Sequence, residues 1–310
     1  MKDGKGMRMK KSYLYIGMVI VILSWISNYL YFSLNQLAQP VMLKHYYELP
    51  IEEETTFQLH YLMNRNNDVE ISSIQIPGLD YVRMIDYGQN LIFRHQQLKT
   101  VTVQIDKNML ESNLEKPFVI SSIEAYLSNG EKQVYDIGEI SLSESSRGPF
   151  DFRAAGGSSN GNSFDFVTAT EALVINSYEV PFKEQLSQSL KLFINHEQTE
   201  LPTIAEDLMK DRRRQPPYTD PVEELNNLNH EEINRGIFPI YLKEGGFLNV
   251  QHRFEFPEND PNSFHYYRFD TKFIGKTEEG KPFVQRTIMN YDPYFTENNI
   301  SLILKETRGK

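Results

Sequence analysis

An uncharged segment of 22 residues, Tyr13–Leu34, is the strongest constraint on what this chain can fold into. As an α-helix it would be about 33 Å long, which is enough to cross the hydrocarbon core of a bilayer. Trp25, Tyr29 and Tyr31 in its second half are amphipathic aromatics, which favour the membrane–water interface. The sequence therefore predicts a transmembrane anchor over residues 13–34, with the lipid bilayer as its partner.

Positive charge lies on the N-terminal side of this segment. The first twelve residues carry five basic side chains and one acidic one, namely Lys2, Lys5, Arg8, Lys10 and Lys11 against Asp3. The positive-inside rule then makes residues 1–12 a basic cytoplasmic tail, with Lys10 and Lys11 at the membrane interface. We expect a single-pass cell-membrane protein whose body, after about residue 35, is extracytoplasmic.

A cleaved signal peptide is the alternative to an anchor. Signal peptides have a shorter apolar region followed by small residues at the cleavage site. Bulky residues such as Trp25 and Tyr29 follow the apolar run here, and Ala38 has Gln36 as a poor partner for cleavage. The pattern favours an uncleaved anchor and leaves late cleavage near Ala38 as the other possibility.

Composition excludes several classes of protein. The chain has no cysteine, which removes disulfides, thiolate metal sites and a catalytic thiol. The net charge is −10, and because the tail carries +4, the remaining residues carry −14. Nucleic-acid binding depends on Lys and Arg neutralising phosphates, so we expect no nucleic-acid partner. No residue pattern indicates a cofactor.

After a juxtamembrane stalk over residues 35–54, residues 55–144 read as about seven short strands. Segments such as "TTFQLHYLM" and "KTVTVQI" alternate apolar and polar residues, and Asn129-Gly130 favours a tight hairpin. This strand count predicts a β-sandwich of immunoglobulin-like size. Residues 145–163 are rich in Ser, Gly and Asn and predict a linker or surface loop.

A second β-sandwich is predicted over residues 164–310. Capping patterns predict short helices at about 203–236, where Thr203 precedes Glu206 and Asn229 precedes Glu232. Strands resume after this helical insertion and end with "NISLILKE", and Gly280 predicts a hairpin turn. The expected fold class is therefore mainly β, with an N-terminal transmembrane helix and two tandem β-sandwich domains.

Chemical motifs in the body are weak. Residues 157–161 match G-x-S-x-G by letter, but no strand–turn–helix context surrounds them. His252 and His265 lie on neighbouring predicted strands, although neither has a second histidine at metal-ligand spacing. The loop "PENDPNS" (257–263) is rich in oxygen donors, which turns also use. We predict no catalytic or metal-binding residue.

A candidate interaction patch combines two segments. Arg212, Arg213 and Arg214 concentrate positive charge on an acidic protein, and the alternative is a basic helix end. In "FHYYRFDTKF" strand alternation would bury Tyr267, Phe269 and Phe273 and leave Tyr266 and Arg268 exposed. Exposed tyrosine and arginine are typical of binding surfaces.

In general type, the chain resembles single-pass surface proteins of Gram-positive bacteria with β-rich ectodomains. Predicted sheet domains on a short tether, the lack of a catalytic motif and the acidic body favour a non-enzymatic accessory, interaction or sensing subunit of the cell envelope, with a membrane or envelope protein as partner. A tail of about twelve residues is too short to signal alone. The alternatives are a cell-wall or carbohydrate-binding surface module, or an anchored envelope hydrolase with acids or histidines from distant segments.

Overall fold

The described residues are mainly β, and they form three sheets and one long apolar helix near the N-terminus. The computed structural model describes residues 11–66, 69–85, 88, 90–113, 117–144, 148–157, 161–186, 188–196, 231–233 and 236–308. Helix α1 spans Lys11–Leu34 and is exposed from residue 13 onward. Its apolar side chains are therefore not covered by the described part of the body, and its length and composition suit a membrane span.

The first sheet lies next to the end of α1. It contains five strands, β1 (Val41–Met42), β3 (Glu54–Asn64), β5 (Arg83–Ile85), β6 (Leu91–Ile92) and β7 (Gln96–Asp106). The alternation in "TTFQLHYLM" produces β3, whose Phe57, Leu59 and Tyr61 are buried. β3 pairs with β7 antiparallel over its whole length, so the C-terminal end of β3 and the N-terminal end of β7 meet at one edge of the body.

The largest sheet has eight strands and connects both halves of the chain. They are β2 (His45–Pro50), β4 (Ile71–Gln75), β8 (Phe118–Leu127), β9 (Lys132–Ser143), β12 (Leu173–Glu179), β15 (Ile240–Leu242), β17 (Tyr266–Thr277) and β18 (Pro282–Tyr291). β2 lies between β9 and β17 and runs parallel to both. β17 pairs with β2 through its first three residues and with β12 through its last six.

A third sheet completes the second half. Its strands are β10 (Phe150–Gly157), β11 (Asn162–Ala169), β13 (Leu190–Asn195), β14 (Glu231–Glu232) and β16 (Phe247–Phe254). The remaining described helices are α2 (Lys107–Asn113), α3 (Lys183–Leu186), α4 (Glu297–Arg308) and a 3₁₀ turn at Pro261–Phe264.

Two large hydrophobic cores meet at β17 within the described residues, and Phe166 and Phe247 form a small third cluster. The first is built from residues 37–142 and is completed by the C-terminal segment, including Phe295, Ile300 and Ile303. The second is built from residues 167–289. Tyr266 belongs to the first core and Tyr267 to the second, so successive residues of one strand serve both cores.

Three segments differ from their predicted roles. The predicted stalk contains β2, in which Tyr47 and Leu49 are buried, and the predicted linker contains β10. One sheet contains strands from both sides of the boundary expected at residues 145–163, and the predicted arrangement of two tandem sandwiches is not confirmed. The helical insertion predicted over 203–236 falls mostly outside the described residues, and Glu231–Glu232 is a strand that pairs with β13, not a helical turn.

The strand predicted from "NISLILKE" is wrong, because this segment is part of α4. Ile300, Ile303 and Leu304 recur at helical spacing and are buried together. Both predicted hairpins are confirmed. Gly130 and Gly280 have φ of +85° and +83°, a left-handed conformation that glycine adopts without strain.

Candidate functional site

The base of α1, where the apolar helix enters the body, is the best-defined candidate site. Asn64, the last residue of β3, is buried and holds Leu37 through both backbone groups. The Leu37 N–H donates to Asn64 Oδ1 at 2.8 Å, and Asn64 Nδ2 donates to the Leu37 carbonyl at 2.7 Å. Gln96, the first residue of β7, donates from Nε2 to the Asn35 carbonyl. Buried amides thus satisfy the main chain where the helix ends.

Aromatic and cationic contacts add to this attachment. The rings of Tyr31 and Phe32 in the last turns of α1 lie edge-on to His95, with centroids 5.7 and 6.1 Å away. The Arg94 guanidinium lies 5.5 Å from the Tyr31 ring centre, a cation–π distance. The Arg94 N–H donates to Glu297 Oε1 at 2.8 Å, which ties α4 to the same place.

Exposed apolar and basic side chains surround this attachment. Leu91 and Ile92 of β6 are 51% and 62% exposed, and they precede Arg94 by three and two residues. Arg65 is exposed in the turn after β3, and its N–H donates to the His95 carbonyl at 2.9 Å. We call Arg65, Leu91, Ile92 and Arg94 the basal rim. The rim was not predicted, because only the folded chain brings β6 and the turn after β3 to the end of α1.

The predicted interface residues are partly described. Lys10 lies outside the described residues, and Lys11 begins α1 without a described side chain. Trp25, Tyr29 and Tyr31 are all exposed on α1. Of these three, Tyr31 is the residue with described contacts to the body.

The predicted interaction patch is not assembled by the described residues. Arg212, Arg213 and Arg214 lie outside them. Arg268 is exposed as expected, but the expected exposure of Tyr266 is wrong, since only 4% of it is accessible. Tyr266 is covered because its ring stacks on His60, with centroids 3.7 Å apart, where β17 lies against the first core.

The histidines that could have formed a metal site instead pack inside the protein. His45 Nε2 accepts the His60 N–H at 2.9 Å, beside Tyr266. Burial lowers the pKa of His60 to about 3 and holds the pKa of His45 well below its usual range, with the charge of His60 adding to the effect. His252 and His265 have separate surroundings, and burial lowers the pKa of each to about 4.

His252 hydrogen-bonds the Ser163 hydroxyl, whereas His265 packs against Tyr46. Within the described ranges, no three His, Cys, Asp or Glu side chains are placed to share a metal ion. The oxygen-rich loop is a structural turn, in which Asp260 Oδ1 accepts the Asn262 N–H at 2.9 Å and caps the 3₁₀ turn. The G-x-S-x-G match falls partly on residues outside the description.

A second group of charged side chains lies where β2 meets β17 and β18. Lys272 Nζ is 2.5 Å from Glu48 Oε1, and Arg286 is 3.5 Å from the same oxygen and 3.3 Å from Asp270 Oδ2. Burial raises the pKa of Asp270, although its hydrogen bond from Arg286 opposes the shift. Burial also raises the pKa of Asp165 to about 6, and the charge of Asp270 adds to it. No local pattern predicts this group, since its members lie far apart in sequence.

No protein-family model matches the chain, and no curated protein matches it. Among solved structures, a protein of unknown function from Porphyromonas gingivalis W83 aligns at 11% identity with a TM-score of 0.22, over 81% of this chain and 96% of that one. The titin domains Z1Z2 in complex with telethonin align at 8% identity with a TM-score of 0.17, over 84% of this chain and all of that one. At these TM-scores neither similarity indicates a function.

Proposed function

We propose that this chain is a single-pass membrane protein of the bacterial cell envelope, with its N-terminus in the cytoplasm and its body outside. The body serves as a non-enzymatic accessory, interaction or sensing subunit. The observation that supports the proposal is α1, which is apolar and exposed along its length yet is fastened to the body by Asn64, Gln96 and Arg94. An exposed apolar helix is stable in a bilayer and costly in water.

The attachment also supports the role of a subunit. Because Asn35 and Leu37 are hydrogen-bonded to the ends of β7 and β3, the described chain has no flexible stalk between helix and body. The body is then held at a fixed height and angle above the bilayer. A fixed position favours contact with a neighbouring membrane or envelope protein, which the short cytoplasmic tail would need for any signalling.

The test is the location of the mature chain in its native host. Protoplasts are treated with protease, and the membrane fraction is probed for the chain, with a cytoplasmic protein as the control for lysis. A full-length chain in the membrane fraction that is digested from outside supports the proposal. A shortened chain in the medium, beginning near Gln39, would overturn it.

Two alternatives remain as proposals of different classes. A wall-binding module is tested by co-sedimentation of the full chain with purified cell wall. An anchored hydrolase is favoured by the raised pKa of Asp165 and Asp270, because perturbed carboxyls are frequent at catalytic sites. The ion pair between Asp270 and Arg286 is also consistent with a purely structural role for these charged residues.

A further inference from the structure

We propose that the basal rim is a second membrane contact, in which Leu91 and Ile92 enter the headgroup region beside α1 and Arg65 and Arg94 bind lipid phosphates. The inference rests on the proposed function, since that function places the bilayer around α1. It goes further by assigning a lipid-binding surface to the body itself.

The first argument is position. Tyr31 belongs to the aromatic end of the span, and the Arg94 guanidinium lies 5.5 Å from its ring. Ile92 is two residues from Arg94, so the two Cα atoms are at most about 7 Å apart. Each headgroup layer is roughly 5–8 Å thick. Ile92 also pairs with Gln97, the neighbour of the Gln96 that holds the Asn35 carbonyl, so it lies at the same end of the body as the interfacial Tyr31.

The second argument is the exposure of β6. Successive side chains of a strand point to opposite faces, yet Leu91 and Ile92 are both more than half exposed. A docked protein would cover one face of such a short strand. Lipid headgroups and acyl chains can surround both faces, so the bilayer is the occupant that fits two apolar faces.

The third argument is charge. The residues after the tail carry −14, yet the rim presents Arg65 and Arg94 at the base of α1. Basic residues next to an anchor attract anionic lipid, with an effect of about fivefold in binding for each residue near the surface. The carboxylate of Glu297 accepts the backbone N–H of Arg94, whereas the Arg94 guanidinium lies over the ring of Tyr31 at the end of the span.

The experiment uses the full chain in vesicles of phosphatidylcholine and phosphatidylglycerol. Because the chain has no cysteine, one introduced cysteine carries an environment-sensitive fluorophore at a single site. The variants are Ile92→Cys in the rim, Ile20→Cys in α1 and Val134→Cys on β9. Ile92 and Val134 are similarly exposed, at 62% and 59%, so Val134→Cys is the matched control.

Lipids with a quencher at shallow or deep positions then report the depth of each label. We expect shallow quenchers to act on Ile92→Cys, deep quenchers on Ile20→Cys, and neither on Val134→Cys. Quenching at Ile20→Cys with Ile92→Cys resembling Val134→Cys would overturn the inference while the anchor stands. Absence of quenching at Ile20→Cys would overturn the proposed function and this inference with it.

A second comparison tests the arginines. The double substitution Arg65→Gln and Arg94→Gln, made in the Ile92→Cys chain, should reduce shallow quenching several-fold in vesicles rich in phosphatidylglycerol. Lys276→Gln removes an exposed cation from the other half of the molecule and should leave quenching unchanged. Equal quenching in the double variant and the Lys276→Gln control would refute the role given to Arg65 and Arg94.

Discussion

At the scale of single residues, the base of α1 depends on buried amide groups. Asn64 is 7% exposed and is the described partner of both backbone groups of Leu37, which is itself buried. Removing the amide leaves a buried N–H and a buried carbonyl without partners, and each such loss costs about 1–3 kcal/mol. The attachment of helix to body is therefore sensitive to one side chain.

We expect Asn64→Ala to lower the free energy of unfolding by about 2–4 kcal/mol, from two lost hydrogen bonds. Chemical denaturation of the full chain in detergent, followed by far-UV circular dichroism, measures the change. Asn290→Ala, at an exposed position of β18, is the matched control and should change stability by less than about 0.5 kcal/mol. Equal effects of the two substitutions would contradict the role of Asn64.

Asp165 is a residue whose burial opposes stability at neutral pH. Its folded pKa of about 6 lies above the unfolded value of 3.8. The contribution of Asp165 to the free energy of unfolding is therefore full at low pH and is lost as the pH rises through 6. Asp165→Asn keeps the shape and removes the buried charge. We expect the substitution to stabilise the protein at pH 7, by up to about 3 kcal/mol, and to have little effect at pH 4. Thermal melts at both pH values measure this difference, and a gain that does not depend on pH would contradict it.

At the scale of elements, local patterns predicted some segments and failed at others. The hairpins at Gly130 and Gly280 and the strand β3 were predictable, because turn chemistry and alternation act within a few residues. The strand prediction for "NISLILKE" fails because the apolar residues of such a short segment fit the period of a strand and that of a helix. Reciprocal hydrogen bonds cap the start of α4: the Thr296 N–H donates to Asn299 Oδ1 at 2.9 Å, and the Asn299 N–H donates to Thr296 Oγ1.

The cap of α4 leads to a prediction. Thr296→Ala removes the capping hydroxyl and should lower the free energy of unfolding by about 1 kcal/mol. Ser301→Ala, inside the same helix and exposed, also removes a hydroxyl but keeps the cap, and alanine is the better helix former there. Denaturant titration should therefore show a loss for Thr296→Ala and none for Ser301→Ala; a loss shared by both would count against the cap.

The position of β2 depends on a glycine in the neighbouring strand. Gly138 of β9 has φ of +91°, and a Cβ there would lie 2.6 Å from the His45 carbonyl. Gly130 has φ of +85° but open space around its Cβ position. We expect Gly138→Ala to be more destabilising than Gly130→Ala by at least about 1 kcal/mol. Both substitutions strain the backbone, but only the Cβ at position 138 would clash with the His45 carbonyl. Thermal melts of the two variants check the order, which a reversed ranking would refute.

At the scale of the whole molecule, the sequence gives the mainly β class and the apolar helix, but it does not give the way the halves are joined. The sequence predicts a stalk over residues 45–50 because they precede the first clear alternation, whereas the fold inserts them between β9 and β17. The basal rim and the group around Arg286 could not be predicted for the same reason. Their residues lie close only after strands from distant segments pair, and one sequence carries no signal for such pairing.

Buried histidines make the stability of the whole molecule depend on pH. His45, His60, His252 and His265 all have a folded pKa below 6.5, so the unfolded chain binds protons that the folded chain excludes. The histidines therefore contribute to the free energy of unfolding above about pH 6.5. This contribution falls with the pH, by about 1.4 kcal/mol for each histidine between pH 7.5 and 5.5. Asp165, Asp270 and Asp292 oppose part of this loss, because burial raises their pKa values in the folded chain.

We therefore expect the melting temperature to fall between pH 7.5 and 5.5, with a net uptake of protons on unfolding at pH 5.5. His252→Gln, which keeps a polar side chain near the Ser163 hydroxyl, should weaken the pH dependence by about one proton, because the substituted site no longer titrates. Calorimetry of the full chain in detergent over this range provides the measurement. A melting temperature that stays constant between pH 7.5 and 5.5 would mean that these histidines are not buried in the neutral form. It would then contradict the packing of His45 and His60 against Tyr266, through which β17 contacts the first core.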